Sequence, residues 1–433
     1  MRLEPLDTSD GRQQNPPKHT KYSGILGTNR RGGRVAVTAS GIRWIDDIDI
    51  AALEADPYPL YARLRAEAPC VFVPALNAYL LTTYDEVRAF LADTDLGRAP
   101  SVQPVLERTF GPENILIADG AVHRDRRASV DPPLRRGAVS GYIEDLVRPI
   151  AAQEAARLPV SGTYDVVAEY LEPVSTRGLA AMLGIGDVPS ETLRRWFHTI
   201  IGAAGNYTFQ EEPFRRSDEV VAEIKDVLEP ILTRLETDPD GSGLSHLLHA
   251  GMPPGRIRSR EDIYSAFLIE LTGGMQEPGH AAATTLLGLL REGTYGEIVA
   301  DPDLIPTALA EGLRWIAPIG GVFRETTRAV TIHGQELPPG SVVWCMVASA
   351  NHDERRFSDG GRYQLRRSGP THLSFGGGRH FCAGNVFGRE LARIALEELV
   401  AVAPALRLAE AGWAMKGWLF RSPQQLHVTT VEA

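Results

Sequence analysis

Four glycines, two aromatic rings, an arginine, a histidine and a cysteine fall within ten residues, Phe375-Gly376-Gly377-Gly378-Arg379-His380-Phe381-Cys382-Ala383-Gly384. No other segment constrains the fold as strongly. A glycine-rich loop that runs into a helical stretch over 386–401 must present one thiol at a loop-to-helix junction. Gly376 and Gly378 are expected to take positive φ, which lets the backbone lie flat against a planar group. Gly384 is expected to keep the helix start close to that group. The helix N-terminus and nearby N–H groups favour negative charge on the sulfur. A lone cysteine is ordinarily a packing residue, but the flanking pattern argues for a ligand. A thiolate so placed can be the proximal ligand of a haem iron, where its electron donation favours oxygen activation.

Composition narrows the class. The chain has 433 residues, 43% of them hydrophobic, as in an ordinary globular protein with a large core. The net charge of −10 argues against a nucleic-acid partner. The three cysteines, Cys70, Cys345 and Cys382, are too few and too scattered for a disulfide framework or a zinc site. A reducing, cytoplasmic compartment is therefore expected. No run approaches the ~18 apolar residues of a membrane span. Residues 1–41 are polar and rich in Gly, Pro, Arg and Asn. They are expected to form a disordered extension, with one folded domain over 42–433 and a monomeric state.

Along the chain, the periodicity predicts a helix over 46–67, strands over 70–73 and 79–83, and a helix over 85–91. The stretch 100–119 has no firm period and reads as a loop over a pocket. Helices should dominate 143–250. The stretch 263–290 is the longest helical candidate, apolar all round and therefore buried. A helix over 307–315, strands over 330–332 and 342–347 and a final hairpin complete a mainly α domain with small sheets.

The decapeptide has the pattern Phe-Gly-x-Gly-x-His-x-Cys-x-Gly, and in this it resembles the haem-binding loop of the cytochrome P450 family. The resemblance covers about 44–431. It implies the P450 fold, with small β-sheets around a buried haem b, and Cys382 as the axial ligand of the iron. Phe375 and Gly274 would lie against the haem. Glu311 and Arg314 resemble the family's Glu-x-x-Arg pair, and Arg362 would be the arginine that joins them and holds the cysteine loop. His123 and Arg127, at i and i+4, would meet the haem propionates together with Arg324 and His380. Arg124, Arg126, Arg135 and Arg136 add charge to a face where an acidic electron donor would dock. No flavin, nicotinamide or iron–sulfur motif is visible, so a flavin and [2Fe–2S] reductase or a ferredoxin is the expected partner, with dioxygen as co-substrate.

The segment Gly273-Gly274-Met275-Gln276-Glu277-Pro278-Gly279-His280 departs from the family's Gly-x-(Asp/Glu)-Thr. Gln276 occupies the place of the acid and Glu277 that of the threonine. Pro278 should kink the helix. Glu277, against apolar walls, should have a raised pKa and relay protons beside Gln276. This segment, together with 311–315, 248–255, 394–399 and Gly417-Trp418-Leu419-Phe420-Arg421, is similar to a narrower group, the bacterial aromatic O-demethylases of lignin-derived methoxyphenols. That likeness implies O-demethylation of a guaiacol- or syringol-like methoxyphenol to a catechol and formaldehyde, in a pocket lined by Phe420, Ile319, Val322 and Ala204. The small side chain at Ala204 favours a substrate with a second ortho substituent. A peroxide-driven reaction on the same ethers, hydroxylation of another small aromatic, and a haem-thiolate sensor without turnover are the competing readings.

Overall fold

The computed structural model describes residues 42–100 and 103–430, so the expected extension over 1–41 lies outside the described residues. The architecture is mainly α. A helical core is built from Arg136–Ala155, Glu172–Leu183, Ser190–Ala204, Glu211–Thr237, Arg260–Gly274, Glu277–Arg291, Ile305–Trp315 and Asn385–Val402. A second core packs around a five-stranded sheet, in the order Cys70–Val73, Ala78–Leu81, Val342–Cys345, Val322–Thr326, Gly97–Arg98. The last hairpin, Leu406–Lys416 with Ser422–Thr430, joins Gly162–Asp165 in a three-stranded sheet.

Three expectations change. The stretch 46–67 is three short helices, Arg43–Asp46, Ile50–Ala55 and Tyr58–Glu67. Asp49 caps the second by accepting the N–H of Ala51, and Pro57 holds Asp56 extended before the third. The expected loop over 100–119 contains the helix Pro104–Phe110, which is too short to show a period. The stretch 263–290 is not one helix. It divides into Arg260–Gly274 and Glu277–Arg291, and the longest helix is Glu211–Thr237.

The division follows from Pro278. A proline inside a helix would lose a hydrogen bond and clash with the preceding turn. Here Pro278 sits in the first turn of a new helix, where its missing N–H would have had no partner. The break falls before it, at Met275 and Gln276, rather than as a kink at the proline. In the second helix every residue from Ala281 to Leu289 is buried, so this rod is fixed in the core and the break is held in place beside the cavity.

Candidate active site

A cavity of about 430 Å³ lies where the two cores meet. Its walls are mostly apolar, from Leu179, Met182, Ile269, Leu309, Leu313, Val347 and Phe387 among others. Cys382 is on its lining. The junction that presents the thiol is closed by the Cys382 N–H donating to the Phe375 carbonyl (3.0 Å) and by the Asn385 amide donating to the Cys382 carbonyl (2.8 Å). Burial pushes the thiol pKa up, opposed by a hydrogen bond from the Gly384 backbone. A bound cation reverses that balance, since a coordinated thiol is deprotonated.

Gly376 and Gly378 take the expected positive φ, with one change of reason. Gly376 lines the cavity at φ 70°. Gly378 also takes positive φ, at 65°, but a Cβ there would stand 2.4 Å from the Leu91 carbonyl oxygen. Its need for glycine comes from the helix Tyr84–Ala92 beneath the loop, not from a planar group above it.

His123, Arg127, Arg324 and His380 all line the cavity. The two imidazoles lie 4.1 Å apart, and the Nε2 of each is buried without a partner. Burial is the main cause that lowers both pKa values, that of His380 to about 3. Arg324 is buried, donates to its neighbour's carbonyl at Phe323 (2.7 Å), and makes no salt bridge to a carboxylate among the described residues. Arg127 pairs with Asp131 (2.5 Å) and donates to the Phe381 carbonyl (2.8 Å). A buried cation and two orphaned imidazole nitrogens beside an apolar cavity form a donor cluster with no carboxylate paired to Arg324 among the described residues. A planar dianionic group with an iron for the thiol fits this set. Phe375 and Gly274 are on the same lining.

Behind the loop, Glu311 is held from four sides. Its oxygens accept from Arg314 Nε (2.7 Å) and Nη2 (2.8 Å), Arg367 Nε (2.9 Å) and the Gln364 N–H (2.9 Å). The third member of the cluster is therefore Arg367, not Arg362. The Arg362 guanidinium is exposed and lies on Glu292 (2.5 Å), and only its backbone carbonyl meets Arg314. The two arginines share one loop, and only the Arg367 side chain is buried. Asn351 and Ser374 carry the cluster to the loop. Arg314 donates to the Asn351 carbonyl (2.8 Å), Asn351 Nδ2 to Ser374 Oγ (2.9 Å), and Ser374 Oγ to the Leu313 carbonyl (2.7 Å).

The expected amide–acid pair does not share the cavity. Glu277 lines it, with Oε2 buried and unpartnered. Burial raises its pKa, opposed by His280 and backbone N–H groups. Gln276 is buried but points elsewhere, with Nε2 3.4 Å from His198 Nε2. The turn between the two helices rotates adjacent residues to different sides. Of the expected pocket residues, Ile319, Val322 and Phe420 line the cavity, and Ile319 and Phe420 form an isolated bridge. Ala204 does not. It is packed in the helical core, while Tyr207 and Phe323 reach the cavity instead. Ala204 therefore makes no room for a second ortho substituent. Glu270 was also missed, although its helical spacing from Gly273 and Gly274 gives it the same face.

The family profile described as Cytochrome P450 matches residues 300–401, which hold Glu311, Arg314 and Cys382. Over 378 residues the chain is 28% identical to Cytochrome P450 107B1 of Saccharopolyspora erythraea, covering 83% of this chain and 90% of that protein. The fold is that of the cytochrome P450s, and the chain is similar to them over most of its length. It is also 27% identical to the 6-deoxyerythronolide B hydroxylase of the same organism, over 84% of this chain and 93% of that protein. Among solved structures, the P450 haem domain of Tepidiphilus thermophilus superposes with a TM-score of 0.77 at 28% identity, over 90% of this chain and 98% of the other. Ligand-free P450 TbtJ1 gives 0.78 at 27% identity, over 88% and 99%. This likeness implies haem b as the cofactor and P450 monooxygenase as the class. Among the described residues, no helix is long and apolar enough to cross a membrane.

Proposed function

We propose that this P450 removes the methyl group of a methoxyphenol, with Cys382 as the iron ligand and Glu277 as the proton carrier. The observation that carries the reading is the shared cavity: one thiol, a donor shell and an orphaned carboxyl at the helix break line the same apolar space. Haem b, when bound, supplies dioxygen activation and insertion of one oxygen atom into a C–H bond. The rest falls to the chain. Cys382 would hold the iron, Arg127 and Arg324 would offset the charge of the two propionates, and His123 and His380 would donate hydrogen bonds to them. Glu311, Arg314 and Arg367 keep the loop that carries the sulfur in one conformation. Glu277 holds a proton at its carboxyl in a site that excludes bulk water, and returns it as oxygen is reduced. The apolar wall with Phe420, Ile319, Val322 and Tyr207 would bind and orient the aryl ether in the cavity that Cys382 lines.

The reaction balances as aryl–O–CH3 plus O2, two electrons and two protons giving aryl–O–CH2OH and water. The hemiacetal C–O bond then breaks to leave a catechol hydroxyl and formaldehyde. The electrons come from an iron–sulfur or flavin donor. Arg135 and Arg136, beside the exposed Phe381, offer the docking charge, whereas Arg126 is occupied by Asp262 (2.5 Å). The compartment proposed is the cytoplasm. Haem-loaded protein, reductant and donor incubated with guaiacol and syringol should release formaldehyde. No formaldehyde and no substrate-induced Soret shift with either phenol would remove the substrate assignment.

A second reading uses hydrogen peroxide in place of dioxygen and donor, and Glu277 favours it, since a carboxyl can pass a proton between the two peroxide oxygens. Equal peroxide-driven turnover by wild type and Glu277→Thr would reject it.

A further inference from the structure

The orphaned polar atoms of the cavity sort by chemistry. His123 Nε2 and His380 Nε2 can donate, and they sit with Arg127 and Arg324. Three others are acceptors, Gln103 Oε1, Glu270 Oε2 and Glu277 Oε2. A dianionic macrocycle answers the donors and is repelled by the acceptors. Glu277 is close enough to Cys382 for its charge to bear on the thiol, which places it near the metal end of the cavity. That leaves Glu270 and Gln103 without a function.

We infer that Glu270 is the residue that selects and orients the substrate, by accepting a hydrogen bond from its O–H or N–H donor. Glu270 stands on the cavity-facing stripe of the helix Arg260–Gly274, with Ile269, Gly273 and Gly274. Its carboxyl makes no hydrogen bond or salt bridge to any described residue. The Tyr142 hydroxyl lies near enough to feel its charge but donates to the Pro133 carbonyl (2.9 Å). Gln103, one residue before the helix Pro104–Phe110 that packs on Arg260–Gly274, brings a second acceptor to the same wall. Burial raises the Glu270 pKa to about 8 with no compensating charge, so a free carboxyl here is costly and a bound donor relieves it.

A substrate for this cavity is therefore largely apolar, with one donor set apart from the carbon that reacts. On the proposed reaction that donor is the phenol O–H. The selection of a donor rests on the cavity being the monooxygenation site, and only its identity as a phenol rests on the methoxyphenol reading.

The test is a binding titration of haem-loaded protein, by calorimetry and by the Soret shift, with two matched pairs: 2-methoxyphenol against 1,2-dimethoxybenzene, and 4-propylphenol against 4-propylanisole. Wild type should bind the phenol of a pair about tenfold tighter than its methyl ether. Glu270→Leu should lose that preference while keeping its affinity for the ether, and Glu270→Gln, which retains an acceptor oxygen, should keep part of it. Haem content and thermal midpoint verify that both variants fold. A preference that persists in Glu270→Leu overturns the assignment, as does its absence from both pairs in wild type, lack of binding included. Preference in the propyl pair with no binding of 2-methoxyphenol leaves Glu270 standing and removes the methoxyphenol substrate.

Discussion

Glu311 and Glu270 are both carboxyls removed from water on helices of the same core, yet their surroundings are opposite. Glu311 receives four hydrogen bonds, three from guanidinium groups and one from a backbone N–H. Glu270 receives none from any described residue, and its pKa is raised to about 8 by burial. The first region is built so that nothing moves, because it holds the loop that presents Cys382. The second is left incomplete so that a ligand can complete it. Where a protein spends its arginines separates scaffold from site more cleanly than where it places its carboxylates.

Four experiments bear on that contrast. The largest effect is expected from Glu311→Gln, which leaves Arg314 and Arg367 buried against a neutral group. Chemical denaturation should show a loss of about 3–5 kcal/mol, and the purified protein should carry less haem. Next, Arg367→Ala should cost about 2 kcal/mol by leaving a Glu311 oxygen short of a partner, whereas Arg362→Ala, on the exposed side chain, should leave the denaturation midpoint where it was. Equal losses would return Arg362 to the cluster.

The cavity should respond with the opposite sign. Glu270 holds its proton to about pH 8 in the fold but has an ordinary value of 4.5. The folded state thus binds more protons between these values. The carboxyl is no burden below about pH 4.5, and stability is lost as pH rises towards 8. Glu270→Leu should therefore gain about 1–2 kcal/mol at pH 8 and nothing at pH 4.5, measured by denaturation across that range. The smallest pair of effects concerns the break between the two helices. Glu277→Gln should lower product formed per reductant consumed by about tenfold and release peroxide instead. Gln276→Ala should change that ratio by less than about twofold, because its side chain turns to His198 and not to the cavity.

The sequence revealed those parts of the site that depend on local chemistry. The decapeptide spacing foretold the positive φ at Gly376 and Gly378 and the delivery of Cys382 to a helix start. Helical spacing foretold the Glu311–Arg314 pair. What it hid depends on tertiary rotation. Arg362 and Arg367 are five residues apart in one loop, and only the packed loop shows which turns inward. Adjacent residues Gln276 and Glu277 face different sides because the helix stops and restarts between Gly274 and Glu277. Ala204 was assigned to the cavity by likeness to relatives, but the end of its helix packs into the core and hands the position to Tyr207. Glu270 was legible from the period of its helix, but a glutamate on an apolar stripe carries no mark of whether a partner waits for it.

The claim beneath all of this is that Cys382 is the thiolate ligand of the haem iron. The absorption spectrum of the reduced carbon monoxide complex tests it most directly, in wild type and in Cys382→Ser. Wild type should show the strongly red-shifted Soret band of a thiolate-ligated haem, and the variant should lose that band even where it retains haem. A red-shifted band in both proteins, or its absence from haem-loaded wild type, would contradict the account.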